Sequence, residues 1–85
     1  QSQAVIEFKP DGEILTANDN FLKALGYSLD EIRGRHHRMF VAPADVQSAA
    51  YAEFWPRLAR GEFQAGRFKR IAKGGREIWI QASYN

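Results

Sequence analysis

Residues 74–85 read Gly74-Gly75-Arg76-Glu77-Ile78-Trp79-Ile80-Gln81-Ala82-Ser83-Tyr84-Asn85. From Ile78 the pattern alternates. Ile78, Ile80, Ala82 and Tyr84 fall on one face of a strand, and Trp79, Gln81, Ser83 and Asn85 on the other, because successive strand residues point to opposite sides. The paired glycines ahead of it are a hairpin signal, and Glu62 to Lys73 reads as the partner strand. The chain therefore ends on an antiparallel hairpin with one apolar face.

That face needs a cover, and the residues upstream supply it. Asp45 to Arg60 reads as a helix whose apolar spine is Val46, Ala49, Ala50, Phe54 and Leu58. Pro56 interrupts it at a cost of about 3 kcal/mol in a helix interior, which predicts a kink or break near Trp55. His36 to Phe40 has no clear period. Ser28-Leu29-Asp30-Glu31 has the spacing of a capping box and opens a short helix that Gly34 ends. Asn18 or Asp19 caps another, in which Phe21, Leu22 and Leu25 share a face and Gly26 is the stop. Before it, Val5 to Phe8 and Glu13 to Ala17 read as strands around the turn Pro10-Asp11-Gly12. The order is strand, strand, several short helices, strand, strand. This predicts one α+β domain over residues 1–85, an antiparallel sheet flanked on one face by short helices.

Composition agrees with a small folded domain. The 85 residues are 45% hydrophobic and 26% charged, which is ordinary globular usage and excludes disorder. No apolar run approaches the roughly 20 residues that a transmembrane helix needs, so no membrane insertion is expected. No signal peptide is visible, and a start at Gln1 predicts a piece of a longer protein. There is no cysteine, which removes disulfides, thiolate nucleophiles, Cys-type zinc sites and cysteinyl flavin photochemistry. Residues 1–32 carry two lysines against six acids, and residues 33–85 carry ten Lys or Arg against four acids. Attraction between the halves explains this split better than nucleic-acid binding, because the aromatics fall in core positions. There is no phosphate-binding glycine loop and no nucleophile–base arrangement, so an enzyme is not expected.

The chain resembles a PAS domain along nearly its whole length. The resemblance rests on Asn18-x-x-Phe21 followed by Gly26-Tyr27, Glu31 and Gly34. It narrows through His36-His37-Arg38-Met39-Phe40, Tyr51-Ala52-Glu53-Phe54-Trp55, Gly61-Glu62-Phe63 and residues 74–85 to the PAS domains of bacterial methyl-accepting chemotaxis proteins, with the aerotaxis receptors in that neighbourhood. It implies a cytoplasmic sensory module that binds a small ligand or cofactor and relays the signal through protein contacts. The alternative is a ligand-free module that dimerises and relays. PAS sheets have five strands and this reading supplies four. The missing strand normally lies between the first strand and residues 76–85. The two hairpins are therefore expected to share no backbone pairing, and the polypeptide to continue past Asn85.

The resemblance also selects residues. Aerotaxis-type PAS domains carry flavin and have a Trp at the place of Trp55, a flat surface for a planar ligand. Phe68 and Arg70 share a strand face; at Arg70 flavin-binding PAS domains commonly have an Asn. His37, Phe40 and Ile80 complete the candidate pocket. A further departure is Val41-Ala42-Pro43-Ala44-Asp45, where the related domains have a basic Arg-His pair. Haem would need His36 or His37, because the long helix has Ala49-Ala50-Tyr51 where oxygen-sensing PAS domains place their histidine. The cofactor stays unknown, with FAD, haem and no cofactor all open; no other metal site is expected. Trp79, on one face with Gln81 and Ser83, is the candidate contact surface for a homodimer, a neighbouring PAS domain or a signalling helix.

Overall fold

A computed structural model describes residues 3–84. Its strands are β1 (Ala4–Phe8), β2 (Ile14–Ala17), β3 (Gln64–Ile71) and β4 (Glu77–Tyr84). Between β2 and β3 come α1 (Asp19–Leu25), α2 (Leu29–Ile32), a 3-10 turn over His37–Phe40, α3 (Pro43–Val46) and α4 (Ala49–Ala59). The sheet runs β2-β1-β4-β3. The two hairpins are antiparallel, as predicted; β3 and β4 pair from Gln64↔Tyr84 to Ile71↔Glu77.

Two expectations need correction. The hairpins do pair with each other: β1 lies parallel to β4 through Ala4↔Ala82, Val5↔Ser83 and Ile6↔Tyr84. The sheet is therefore mixed, and the argument for a further strand from unpaired hairpins falls away. The parallel contact forms because Ala4, Ile6, Ala82 and Tyr84 all turn to the core, so docking two short segments buries both apolar rows at once. The second correction concerns the long helix. It does not break near Trp55; α4 runs through Pro56, and the interruption falls at Gln47-Ser48. Ser48 caps α4, its Oγ accepting from the Tyr51 N–H at 3.2 Å and donating to the Asp45 carbonyl at 2.7 Å. Pro43 opens α3 at its first position, where a missing N–H costs nothing. Pro56 lies in the second half of α4, and the proline's loss of one donor is tolerated there because Phe54 anchors the helix to the core.

Local chemistry sets the other ends. Asn18 Oδ1 accepts from Phe21 N–H and from Val5 N–H, both at 3.0 Å, so one side chain caps α1 and ties it to β1. Gly26 ends α1 at φ 80°, a left-handed value that favours glycine. Glu31 Oε1 accepts from the Ser28 N–H at 2.8 Å, the return half of the capping box. Glu31 also pairs with Lys73, the one ion pair that joins the acidic and basic halves over a long sequence distance among the described residues. Ile6, Ile14, Phe21, Leu25, Ile32, Phe40, Ala82 and Tyr84 form the fully buried centre between sheet and helices. The alternation of β4 is as predicted, with Ile80, Ala82 and Tyr84 inward and Trp79 and Gln81 outward; Asn85 lies outside the described residues.

Candidate functional site

A return of the chain onto β2 fixes the first site residue. The Ile14 N–H bonds to the Arg35 carbonyl (2.8 Å), the Gly34 N–H to the Ile14 carbonyl (2.9 Å) and the His37 N–H to the Gly12 carbonyl (3.0 Å). Gly12 makes this approach feasible. It sits at φ 93°, and a Cβ there would fall 2.3 Å from His36 Nε2. With the backbone so pinned, His36 lies over the turn and His37 points inward.

His37 is fully buried at the middle of an aromatic cluster. Its ring lies 5.2 to 5.9 Å, centroid to centroid, from Phe8, Phe40, Tyr51, Phe54, Trp55 and Tyr84. Both ring nitrogens are engaged. Nδ1 is 3.1 Å from the Tyr51 hydroxyl and Nε2 is 3.3 Å from the Tyr84 hydroxyl. Tyr84 in turn accepts from Arg70 Nε–H at 2.8 Å. The row Tyr51–His37–Tyr84–Arg70 is a continuous polar chain inside an otherwise apolar core.

Donor bookkeeping fixes its direction. Arg70 can only donate, so Tyr84 accepts there and must place its own proton elsewhere. His37 Nε2 is the acceptor within reach, because a buried hydroxyl proton left unpaired would cost about 1–3 kcal/mol. We therefore assign His37 as the neutral Nδ1–H tautomer, donating to Tyr51. Burial pushes the His37 pKa well below its ordinary value, and the Arg70 and His36 charges act in the same direction. Burial raises the Tyr51 hydroxyl to about 12 and also raises Tyr84, with Arg70 opposing both. The Trp55 N–H opposes the rise at Tyr51 as well, from outside hydrogen-bond geometry: Trp55 Nε1 is buried without a hydrogen-bond partner. The whole chain is thus protonated and neutral except for Arg70.

Tyr51 and Arg70, the two ends of this chain, both open onto a cleft of about 290 Å³ between β3 and α3–α4. Val41, Ala50, Phe54 and Phe68 give it apolar walls, and Asp45 and Lys69 stand at its side 3.9 Å apart as an ion pair. Ser48 positions this wall twice, by capping α4 and by holding the end of α3.

Among the residues that sequence selects, the cleft gathers Phe68 and Arg70 but not the rest. Arg70 turns inward, 8% exposed, as its shared parity with Phe68 predicts; Phe68 stands edge-on to Tyr84 at 4.9 Å, with the Arg70 guanidinium 5.0 Å over its ring. Trp55 instead lies half-buried off the cleft, edge-on to Phe54 at 5.0 Å and to Phe8 at 5.1 Å. Phe40 is buried against Phe21 and Tyr27, and Ile80 lies under β4 opposite Phe68. Tyr51 and Phe54 are the aromatic lining residues that sequence reasoning missed. Their signal was the (i, i+3) spacing that puts both on one face of α4.

The fit of the two implied cofactors follows from this packing. Phe8, His37, Phe54, Trp55 and Tyr84 pack ring on ring between sheet and helices, and a cation, Arg70, stands where the resemblance implies an amide; as packed, these residues do not fit a flavin ring between them. Haem does not fit either. His37 has both nitrogens engaged, and His36 accepts from the Arg38 N–H through Nδ1 while its Nε2 edge lies against Gly12. No group of three His, Cys, Asp or Glu side chains with metal-binding geometry occurs among the described residues.

On the opposite side of the sheet Trp79 is 62% exposed, with the Arg67 guanidinium 5.4 Å from its ring centroid. Gln81 is exposed beside it, and Ser83 Oγ accepts from Gln3 Nε2 at 3.0 Å. No helix among the described residues is long and apolar enough to cross a membrane.

The comparisons with known proteins agree with this architecture. The PAS fold family matches residues 14–85. The chain is 52% identical over all 85 residues to the biofilm dispersion protein BdlA of Pseudomonas aeruginosa, and covers 20% of that protein. Over 70 residues, 82% of the chain, it is 39% identical to the aerotaxis receptor of Escherichia coli and covers 14% of it. The chain thus spans a fifth or less of these relatives. Among solved structures, the light state of the blue-light photoreceptor Aureochrome1 LOV superposes with a TM-score of 0.70 at 28% identity, covering 93% of this chain and 62% of that one. A PAS domain from Colwellia psychrerythraea reaches 0.73 at 22% identity, over 92% of this chain and 64% of the other, a likeness of fold. With the family matched over most of its length and the sheet, short helices and signature residues in place, the chain belongs to the PAS family.

Proposed function

We propose that this chain is a sensory module of a bacterial chemotaxis-type signal transducer. It takes a small ligand in the β3/α3–α4 cleft and passes the event through the sheet to a protein contact on the Trp79 face. The observation that carries this is the buried chain Tyr51–His37–Tyr84–Arg70, which begins and ends at the cleft and runs through β4. A ligand that engages Tyr51 or Arg70 reorders hydrogen bonds on the inner face of the strand whose outer face carries Trp79. Such a ligand shifts the sheet between two packings by its differential affinity for them. The function is binding and relay, not catalysis, and the setting is cytoplasmic.

Hydrogen exchange read by mass spectrometry on the transducer that carries this domain tests the reading. A panel of small metabolites should contain one that protects residues 41–51 and 68–70 and at the same time changes exchange over 77–84. Protection of the cleft with β4 unaffected would contradict the relay. A second reading, a ligand-free dimerising relay, is favoured by the close aromatic packing of the interior. It predicts no protection by any ligand, with self-association through Trp79 intact.

A further inference from the structure

Arg70 is a buried cation with no carboxylate partner among the described residues. Its guanidinium carries five N–H donors. Nε–H goes to the Tyr84 hydroxyl and one Nη1–H to the Lys69 carbonyl at 2.9 Å. Three donors remain, one on Nη1 and two on Nη2. Arg70 lines the cleft, and so does Tyr51, whose own proton is left over once His37 donates to its oxygen. Asp45, the acid that shares the cleft, is paired with Lys69. Isolated buried charge is costly, so a cleft lined by one positive group that has no carboxylate partner and donors to spare is suited to an anion.

We propose that the cleft binds a small organic monocarboxylate, which deepens the sensory reading and rests on it. The carboxylate takes the Nη1/Nη2 edge of Arg70 in a two-pronged arrangement, the geometry in which guanidinium and carboxylate match best. The Tyr51 hydroxyl donates to the same group. The apolar remainder lies against Val41, Ala50, Phe54 and Phe68. A phosphate dianion is disfavoured because the second cation, Lys69, is held by Asp45. The volume of about 290 Å³ is at the lower end for ligand sites, so the ligand is small.

Titration calorimetry with sodium benzoate, benzyl alcohol of nearly the same size, and inorganic phosphate tests the class. Benzoate should bind saturably, at least tenfold tighter than benzyl alcohol or phosphate. Arg70→Gln should weaken benzoate by tenfold or more and leave benzyl alcohol unchanged. Ala50→Trp, at an exposed position on the cleft wall, should abolish binding in a protein whose circular dichroism is that of the parent, which keeps the test valid if Arg70→Gln fails to fold. Saturable benzyl alcohol binding equal to that of benzoate would overturn the carboxylate class and leave the sensory reading standing. Tighter phosphate than benzoate would overturn it likewise. No binding of any of the three to the folded protein would overturn the carboxylate proposal. The sensory reading would then fall only if the metabolite panel also gave no protection in the exchange experiment.

Discussion

Arg70 and Tyr84 are joined across the β3–β4 hairpin: the Arg70 Nε–H donates to the Tyr84 hydroxyl at 2.8 Å, and its guanidinium carbon lies 5.3 Å from the Tyr84 ring centroid. Removing that hydroxyl leaves Arg70 Nε–H and the His37 Nε2 lone pair without partners in the core. Tyr84→Phe should therefore destabilise the domain by about 1–3 kcal/mol in urea denaturation. Tyr51→Phe should cost less, because Tyr51 is half-buried at the cleft and water can reach the freed His37 Nδ1–H. Equal costs would show that the two hydroxyls are not differently enclosed.

The neutral His37 gives stability a pH dependence. Its partners and neighbours are Tyr51, Tyr84, Arg70 and His36, none of them anionic, and its folded pKa is depressed by burial. The unfolded chain binds the proton first. Stability is therefore full above the ordinary histidine value near 6.5 and falls as pH drops below it, by about 1.4 kcal/mol per pH unit, until the folded pKa is reached. His37→Phe should remove most of this slope over pH 6.5 to 5, leaving the smaller part that comes from His36, whose pKa burial also lowers. A slope unchanged in the variant would mean that another group carries it.

Gly12 is held by geometry and not by turn preference alone. Gly12→Ala should cost about 1–2 kcal/mol from the positive φ, plus displacement of the His36 ring. Comparing melting of G12A with the double variant G12A/H36A separates the two parts. The double variant should recover the clash but not the backbone term. Full recovery would mean that φ carries no strain.

Trp79→Ala should leave the unfolding free energy within about 0.5 kcal/mol of the parent, since the ring is mostly exposed and lies against the Arg67 guanidinium. It should also weaken self-association or docking of a signalling helix, read by sedimentation velocity. Unchanged association would remove this face as the contact.

Much of the fold was legible because periodicity and turn chemistry are local. Ile78, Ile80, Ala82 and Tyr84 announced their face, Asn18 its cap and Gly26 its stop. What was not legible was non-local. The parallel meeting of Ala4–Ile6 with Ala82–Tyr84 depends on two apolar rows finding each other across the chain, and no motif marks it. Pro56 was read as a breaker because an isolated helix would break there, whereas tertiary anchoring of Phe54 carries α4 through it. At the site, strand parity placed Arg70 and Phe68 together. Trp55 was chosen for its ring and its place in the family, with a core anchor as the alternative; it lies half-buried against the core and does not line the cleft. Tyr51, one turn earlier on α4, took the cleft, because the cap at Ser48 sets which face of that helix meets β3.

The central claim is that a neutral His37 links the cleft to β4, with its proton on Nδ1. Two-dimensional NMR correlating the imidazole carbon-bound protons with both ring nitrogens, at pH 7, measures this directly. The account predicts a protonated Nδ1 and an unprotonated Nε2 for His37, with the Nδ1 signal moving in Tyr51→Phe and the Nε2 signal in Tyr84→Phe. A proton on Nε2, or an imidazolium carrying both, would contradict it.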